Sequence, residues 1–259
     1  MNSLIINDLH GGSKYGLIHP DWQSKRTFLV SKWLYDKWCE YQLLLPKEID
    51  LLILNGDLID GPNVKERSSG ILETSLSEQV EMCIKILEPL VKRCKTIIRL
   101  DGSGYHEQRG DELRLLDEYF HTRKPRDYRD EVVQNIELPG KVILNVKHEP
   151  ESGKVLYKGT ALNREIIHAI HAEASRGYPK ANILIRGHLH SYSMIDIDNR
   201  QMIINPCWCL AKPRDMKKHY YQWSPCIGGT LLIPNKMCHH GYQIVTTYWH
   251  PPHLGSIKI

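Results

Sequence analysis

Residues 51–61 read Leu51-Leu52-Ile53-Leu54-Asn55-Gly56-Asp57-Leu58-Ile59-Asp60-Gly61. The opening apolar run has the length of a strand and is far short of the ~18 residues needed to cross a bilayer. No polar residue alternates through it, so it predicts a strand covered on both faces. An acid, Asp57, follows just where the strand stops.

The same pattern repeats on either side. Residues 3–7 predict a strand running into Asp8-Leu9-His10-Gly11-Gly12. A helix is expected over 21–45, where Phe28, Val30, Trp33, Leu34 and Trp38 recur at three- and four-residue steps and Pro46 ends the pattern. Downstream, a helix over 74–93 and a strand over 96–100 lead into Asp101-Gly102-Ser103-Gly104-Tyr105-His106-Glu107. A short helix is expected over 111–121 and a loop over 122–135. The strand at 141–147 ends at His148, and a helix over 163–175 precedes a strand at 182–186 that runs into Gly187-His188-Leu189-His190. Strands near 193–196, 202–204, 230–233 and 243–248 complete the chain. Alternating strands and helices argue for an α/β fold. The later strands suggest a second sheet packed on the first. With no Gly/Ser/Pro linker, residues 1–259 are expected to be a single domain.

Composition agrees. Of 259 residues, 41% are hydrophobic and 25% charged, which excludes a disordered tail, a collagen-like fibre and a membrane channel. The net charge of +4 permits an anionic substrate without demanding one. The first ten residues lack the basic start and long apolar middle of a signal peptide, so a cytoplasmic location is expected. Seven cysteines without regular spacing read as reduced thiols, whereas fourteen histidines raise the prior for a metal site.

Asp8, His10, Asp57, His106, His148, His188 and His190 all follow predicted strands. Open α/β sheets bind ligands at the carboxyl ends of their strands, so these side chains should meet along one edge. Asp8 and His10 lie two apart, as do His188 and His190, and in an extended segment each pair would share a side. Carboxylate with imidazole suits manganese, iron or zinc.

This ordered set resembles the calcineurin-like metallophosphoesterase family, in a virus-encoded or bacterial form. The family pattern is Asp-x-His, Gly-Asp-x-x, Gly-Asn-His-Asp/Glu, a His, then Gly-His-x-His. It is matched here by Asp8-Leu9-His10, Gly56-Asp57, His148 and Gly187-His188-Leu189-His190. The resemblance implies a four-layer αββα sandwich of two mixed β-sheets flanked by helices, its second sheet completed by the C-terminal strands. It also implies two divalent metal ions, manganese first, with iron, zinc or nickel as alternatives. Asp8, His10 and His190 would hold one, His148 and His188 the other, and Asp57 would bridge them. Two ions ~3.5–4 Å apart can clamp a phosphoryl group and make hydroxide for in-line attack. His106 would stabilise the developing charge or protonate the leaving oxygen.

The third block departs from the pattern. Tyr105 stands before His106, where the family has a metal-ligating Asn, and a neutral phenol with pKa near ~10 is a poor replacement. Water, Ser103, Asp60 or Asn63 would then serve the second metal, or the enzyme would use one ion. Some virus-encoded relatives carry a similar Gly-Ser/Thr-x-x-His form, which keeps His106 in register.

Other clusters have ordinary readings. Cys207, Cys209, Cys226 and Cys238 read as thiols rather than a structural zinc site, because no Cys-x-x-Cys knuckle is present. His168 and His171 read as surface or core histidines. Lys212, Arg214, Lys217 and Lys218, followed by Tyr220, Tyr221 and Trp223, could grip single-stranded nucleic acid, with a solvated loop as the plainer reading. Arg123, Lys124, Arg126 and Arg129 read as a solvated surface. The expected activity is a metal-dependent phosphoesterase acting on phosphodiesters of nucleic acid (DNA or RNA) or nucleotides. A phosphomonoesterase, or a scaffold of the same fold, is the alternative.

Overall fold

A computed structural model describes residues 1–23, 29–63, 70–107, 113–123, 133–151, 158–211 and 224–252. β1 (Ser3–Ile6), β2 (Ile49–Asn55) and β3 (Cys94–Leu100) pair in parallel, with Ile6 opposite Leu54 and Asn55 opposite Leu100. Their carboxyl ends therefore finish together. β2 is buried from Leu51 to Asn55 because both faces are covered. Leu52 and Leu54 pack with α1 (Leu29–Leu44) and α2 (Leu76–Val91) residues such as Leu34, Trp38, Met82 and Leu87. Leu51 and Ile53 pack against Leu144, Val146, Ile183, Ile185 and Ile203 of the other sheet.

That sheet has the order β4-β5-β6-β8-β7. It comprises β4 (Val133–Leu138), β5 (Val142–Lys147), β6 (Ile183–Arg186), β7 (Ser193–Ile197) and β8 (Arg200–Ile204). Its outer face sets Leu184, Met202 and Ile204 against Leu162 and Ile166 of α4 (Lys158–Arg176). The layers are thus helix, sheet, sheet, helix. A short helix, α3 (Arg114–Phe120), leans on α2.

Three expectations are corrected. The C-terminal strands do not complete the second sheet: β9 (Ile227–Pro234) pairs antiparallel with β1, and β10 (Tyr242–Trp249) pairs with β9. The apolar pattern of β9 announced a strand but not its partner. Part of the expected loop at 122–135 is strand, because Val133–Leu138 pairs with β5. α1 starts later than residue 21. Pro20–Trp22 forms a single 3-10 turn, and the helix buries Ser31, Leu34, Trp38 and Tyr41 on one stripe. No helix among the described residues is long and apolar enough to cross a membrane.

Candidate metal centre

The carboxyl ends of β1, β2, β3, β5 and β6 converge on one edge, and the loops leaving them bond directly to one another. Asp8 N donates to Gly56 O at 3.0 Å, His10 N to Asp57 O at 3.0 Å, and Gly187 N to His148 O at 2.9 Å. Asn55 Nδ2 donates to Lys147 O at 3.3 Å, joining the two sheets.

The loops bring the predicted side chains together, but not through extended backbone. Asp8, His10, Asp57, His188 and His190 all have positive φ, between 48° and 64°. The left-handed region costs non-glycine residues about 1–3 kcal/mol each, and Asp and His are among the types that tolerate it best. Each pair two apart therefore converges through left-handed turns, not through the alternation of a strand. Glycine permits the tight packing behind them. A Cβ on Gly56 would lie 2.7 Å from the His148 ring, and one on Gly102 would lie 2.2 Å from Asp57 N.

All seven residues lie at the centre. Asp8 Oδ1 is 3.1 Å from His190 Nε2 and 3.7 Å from His10 Nε2, and those two ring nitrogens stand 3.1 Å apart. Two imidazoles sharing a tetrahedral ion at ~2.0–2.1 Å would stand about 3.3 Å apart, so this corner has the dimensions of a metal site. Asp57 Oδ2 lies 3.1 Å from His148 Nε2, 3.9 Å from His188 Nδ1 and 3.9 Å from His10 Nε2. It faces both halves of the cluster, as a bridging carboxylate must. Potential ligand atoms of Asp57, His148 and His188 lie within 4.8 Å of one another, as do those of His10, Asp57 and His106.

His148 gives the sharpest test of fit. Nδ1 lies 2.6 Å from the Asn55 carbonyl, which can only accept, so Nδ1 carries the proton. In the neutral ring Nε2 is then a buried lone pair with no donor to pair with, and it faces the Asp57 carboxylate at 3.1 Å. A lone pair aimed at a carboxylate calls for a cation between them. A bare chain can supply only a proton. Burial opposes the imidazolium, but Asp57 and Asp8 overcome it and push His148 up to about 10. Burial alone would raise the Asp8 carboxyl, yet His190 and His148 hold it well below the usual carboxylate range. Asp57 is likewise held well below it, against burial, chiefly by His148.

The departure at Tyr105 resolves differently from the sequence expectation. Tyr105 is 41% exposed. Ser103, fully buried, takes the inner position, donating to Asp57 Oδ1 from its backbone N–H at 2.7 Å and its hydroxyl at 3.1 Å. Two extra residues thus bulge outward before His106. Asp60 and Asn63 are drawn to a supporting role. Asp60 Oδ1 lies 3.1 Å from His10 Nδ1, Asp60 Oδ2 accepts from Asn63 Nδ2 at 3.0 Å, and the Asp60 carbonyl accepts from His106 Nδ1 at 2.8 Å.

Sequence reasoning missed four participants. Glu149 Oε1 lies 3.9 Å from His188 Nδ1. Glu107 accepts from Leu58 N at 2.6 Å and Gly102 N at 2.5 Å, and burial, with Asp57 nearby, pushes it up to about 7 despite Arg99. Asn7 donates to Asp8 Oδ2 and to the Pro206 carbonyl. Cys209 offers a sulfur beside His10 and His190. Glu107 falls at the acidic position of the third block, which by itself assigns it no role; the other three are common residue types with no spacing motif, so only the folded chain reveals them. Among the described residues, Cys207, Cys226 and Cys238 form no metal-binding group, and His168 and His171 lie on the exposed side of α4. Lys124, Arg126, Arg129 and the basic and aromatic cluster at 212–223 lie outside the described residues.

The sequence matches the family of calcineurin-like phosphoesterases over residues 1–192. No curated protein matches it. Among solved structures, a dimetal phosphatase from Danio rerio is similar at 11% identity and a TM-score of 0.49, covering 95% of this chain and 98% of that one. A novel archaeal phosphodiesterase is 12% identical with a TM-score of 0.47, covering 95% and 100%. The zinc complex of Vps29 from Entamoeba histolytica is 15% identical with a TM-score of 0.45, covering 96% and 99%. None reaches a TM-score of 0.5, so the family assignment stands on the sequence match and the site.

Proposed function

The chain belongs to the calcineurin-like phosphoesterase family, and we propose that it is a metal-dependent phosphodiesterase acting on nucleic acid or nucleotides. The observation that carries this reading is Asp57 Oδ2, which faces His148, His188 and His10 at 3.1–3.9 Å. One carboxylate is thereby shared by two ligand groups.

In this reading Asp8, His10 and His190 would hold one divalent cation, His148 and His188 would hold the second, and Asp57 would be shared between the two groups. Such a pair supplies Lewis-acid polarisation of a phosphoryl oxygen and a nucleophile from water at neutral pH. The chain's own groups orient the rest. Asp60 fixes the His10 ring through Nδ1, which directs Nε2 into the centre. The Asp60 carbonyl fixes His106 through its Nδ1–H, so a second proton on this ring sits at Nε2. That proton is the one to deliver to the leaving oxygen. Ser103 anchors Asp57, its N–H donating to Oδ1 and its hydroxyl lying 3.1 Å from Oδ1 and 3.2 Å from Oδ2. His188, with 33% of its side chain exposed, marks the side open to substrate.

Chain connectivity supports a polyanionic substrate. Leu210 N bonds to Tyr15 O at 2.7 Å and Cys226 N to His190 O at 3.1 Å. Leu210 and Cys226 are thereby held beside the centre, and the sequence between them includes Lys212, Arg214, Lys217, Lys218, Tyr220, Tyr221 and Trp223. Cations with interleaved aromatics suit single-stranded nucleic acid. β9 and β10, beyond the family match, extend the first sheet, β9 pairing with β1 and β10 with β9, which supports reading residues 1–259 as one unit.

Hydrolysis of bis-p-nitrophenyl phosphate with added manganese, with Asp57→Asn alongside, tests the proposal. Turnover by the parent protein and its loss in the variant are expected, to be followed by DNA, RNA and cyclic-nucleotide substrates. A parent inactive across several metals would overturn diesterase activity.

A further inference from the structure

We propose that Cys209 is a ligand, through Sγ, to the cation held by His10 and His190, making that half of the centre a sulfur-containing site suited to zinc or iron(II). The inference rests on the metal-centre reading above and adds a donor outside the pattern of Asp, His and Asn.

Cys209 is completely buried, yet it takes no part in the apolar cluster that includes its neighbours Cys207, Trp208 and Leu210. Its sulfur and a ring nitrogen from each of His10 and His190 lie within 4.8 Å of one another. Around zinc, with Zn–S ~2.3 Å and Zn–N ~2.0–2.1 Å, a tetrahedral S···N separation is about 3.6 Å. The observed bound of 4.8 Å admits that separation.

The backbone holds this sulfur in place. Trp208 N donates to Asp8 O at 3.1 Å and Leu210 N to Tyr15 O at 2.7 Å, so Cys209 is bracketed by two bonds to the loop that carries Asp8 and His10. Asn205 Nδ2 reaches Ile5 O at 3.3 Å and also donates to Asn7, whose own Nδ2 donates to Pro206 O at 3.1 Å. Trp208 is packed edge-on against Trp38 with ring centroids 4.8 Å apart, which locks the segment from the core side. The Cys209 thiol itself makes a long contact to Leu210 O at 3.4 Å, a weak alternative to a metal bond. On binding, the S–H bond breaks, the sulfur–metal bond forms with both electrons from sulfur, and the proton leaves to solvent. Thiolate ligands select thiophilic ions, whereas the Asp57, His148 and His188 group suits manganese as well as zinc.

Titration of the chelator-treated full chain with cobalt(II) separates this inference from the reading beneath it. Visible cobalt absorption reports binding at the centre, while an intense near-ultraviolet thiolate-to-cobalt band reports sulfur. Both are expected in the parent protein. Cys209→Ser should lose the near-ultraviolet band and keep the visible bands, and Cys207→Ser should keep both. Zinc affinity should fall more than about tenfold in Cys209→Ser with manganese affinity little changed. Visible bands without the sulfur band, or a sulfur band that survives Cys209→Ser, would overturn the role of Cys209 and leave the metal centre standing. Absence of any cobalt spectrum in the parent would overturn both.

Discussion

Asp60 Oδ1 and His10 Nδ1, fifty residues apart, lie 3.1 Å from each other in a fully buried pair. The carboxylate orients the ring of a candidate ligand and raises its basicity. Asp60→Asn keeps the shape but removes the charge. Metal affinity at the His10 corner is expected to fall about 10–100-fold, measured by equilibrium dialysis. Unchanged affinity would remove Asp60 from the supporting shell.

His148 sets a pH dependence that differs with and without metal. Its imidazole is held at about 10 by Asp57 and Asp8, above its ordinary 6.5, although burial works the other way. A raised pKa stabilises the fold fully below 6.5, and that contribution disappears as pH rises through about 10. The metal-free protein should therefore lose thermal stability from pH 7 to pH ~10. With saturating metal the ion replaces the proton, and the loss should shrink or vanish. Tm profiles with chelator and with metal decide this, and parallel profiles would contradict it.

His106 is assigned proton delivery, not metal holding. His106→Asn should lower kcat on a phosphodiester by about 10²–10⁴-fold while metal content, read by elemental analysis, stays at the parent level. A variant that loses metal in proportion to activity would make His106 a ligand instead, a role its proximity to His10 and Asp57 would accommodate.

Gly102→Ala tests the packing behind the centre. The added methyl would meet Asp57 N at 2.2 Å and Asp57 Oδ1 at 2.3 Å, the latter held by Ser103. Overpacking of this kind costs about 1–3 kcal/mol, and here it should also displace the bridging carboxylate. Lower Tm together with weaker metal binding is expected. Gly104→Ala, where nothing lies within 4 Å of the added atom, is the control.

Much of this protein is legible before folding. The apolar run at Leu51–Leu54 announces a strand with two covered faces, and β2 is buried on both. The order of Asp8, His10, Asp57, His106, His148, His188 and His190 announces one site, because parallel strands end on one edge, and the chain brings all seven there. These features are local or follow from a topological rule, so composition and spacing carry them.

Other features depend on contacts between distant segments. Tyr105 lies beside His106 in sequence, yet Ser103 holds the inner position because its N–H and hydroxyl find Asp57, while Tyr105 is 41% exposed. β9 has the pattern of any buried strand, and its place beside β1 follows from pairing that a linear pattern does not encode. Cys207 and Cys209 differ in surroundings although they flank the same tryptophan, since one packs in the apolar cluster and the other faces two imidazoles. The sequence by itself determined which aspartates and histidines of the motif blocks could hold a metal and along which edge they would gather. Tertiary structure decided how they point, through left-handed turns at five of the seven residues, because that backbone cost is offset only when loops from both sheets bond to one another.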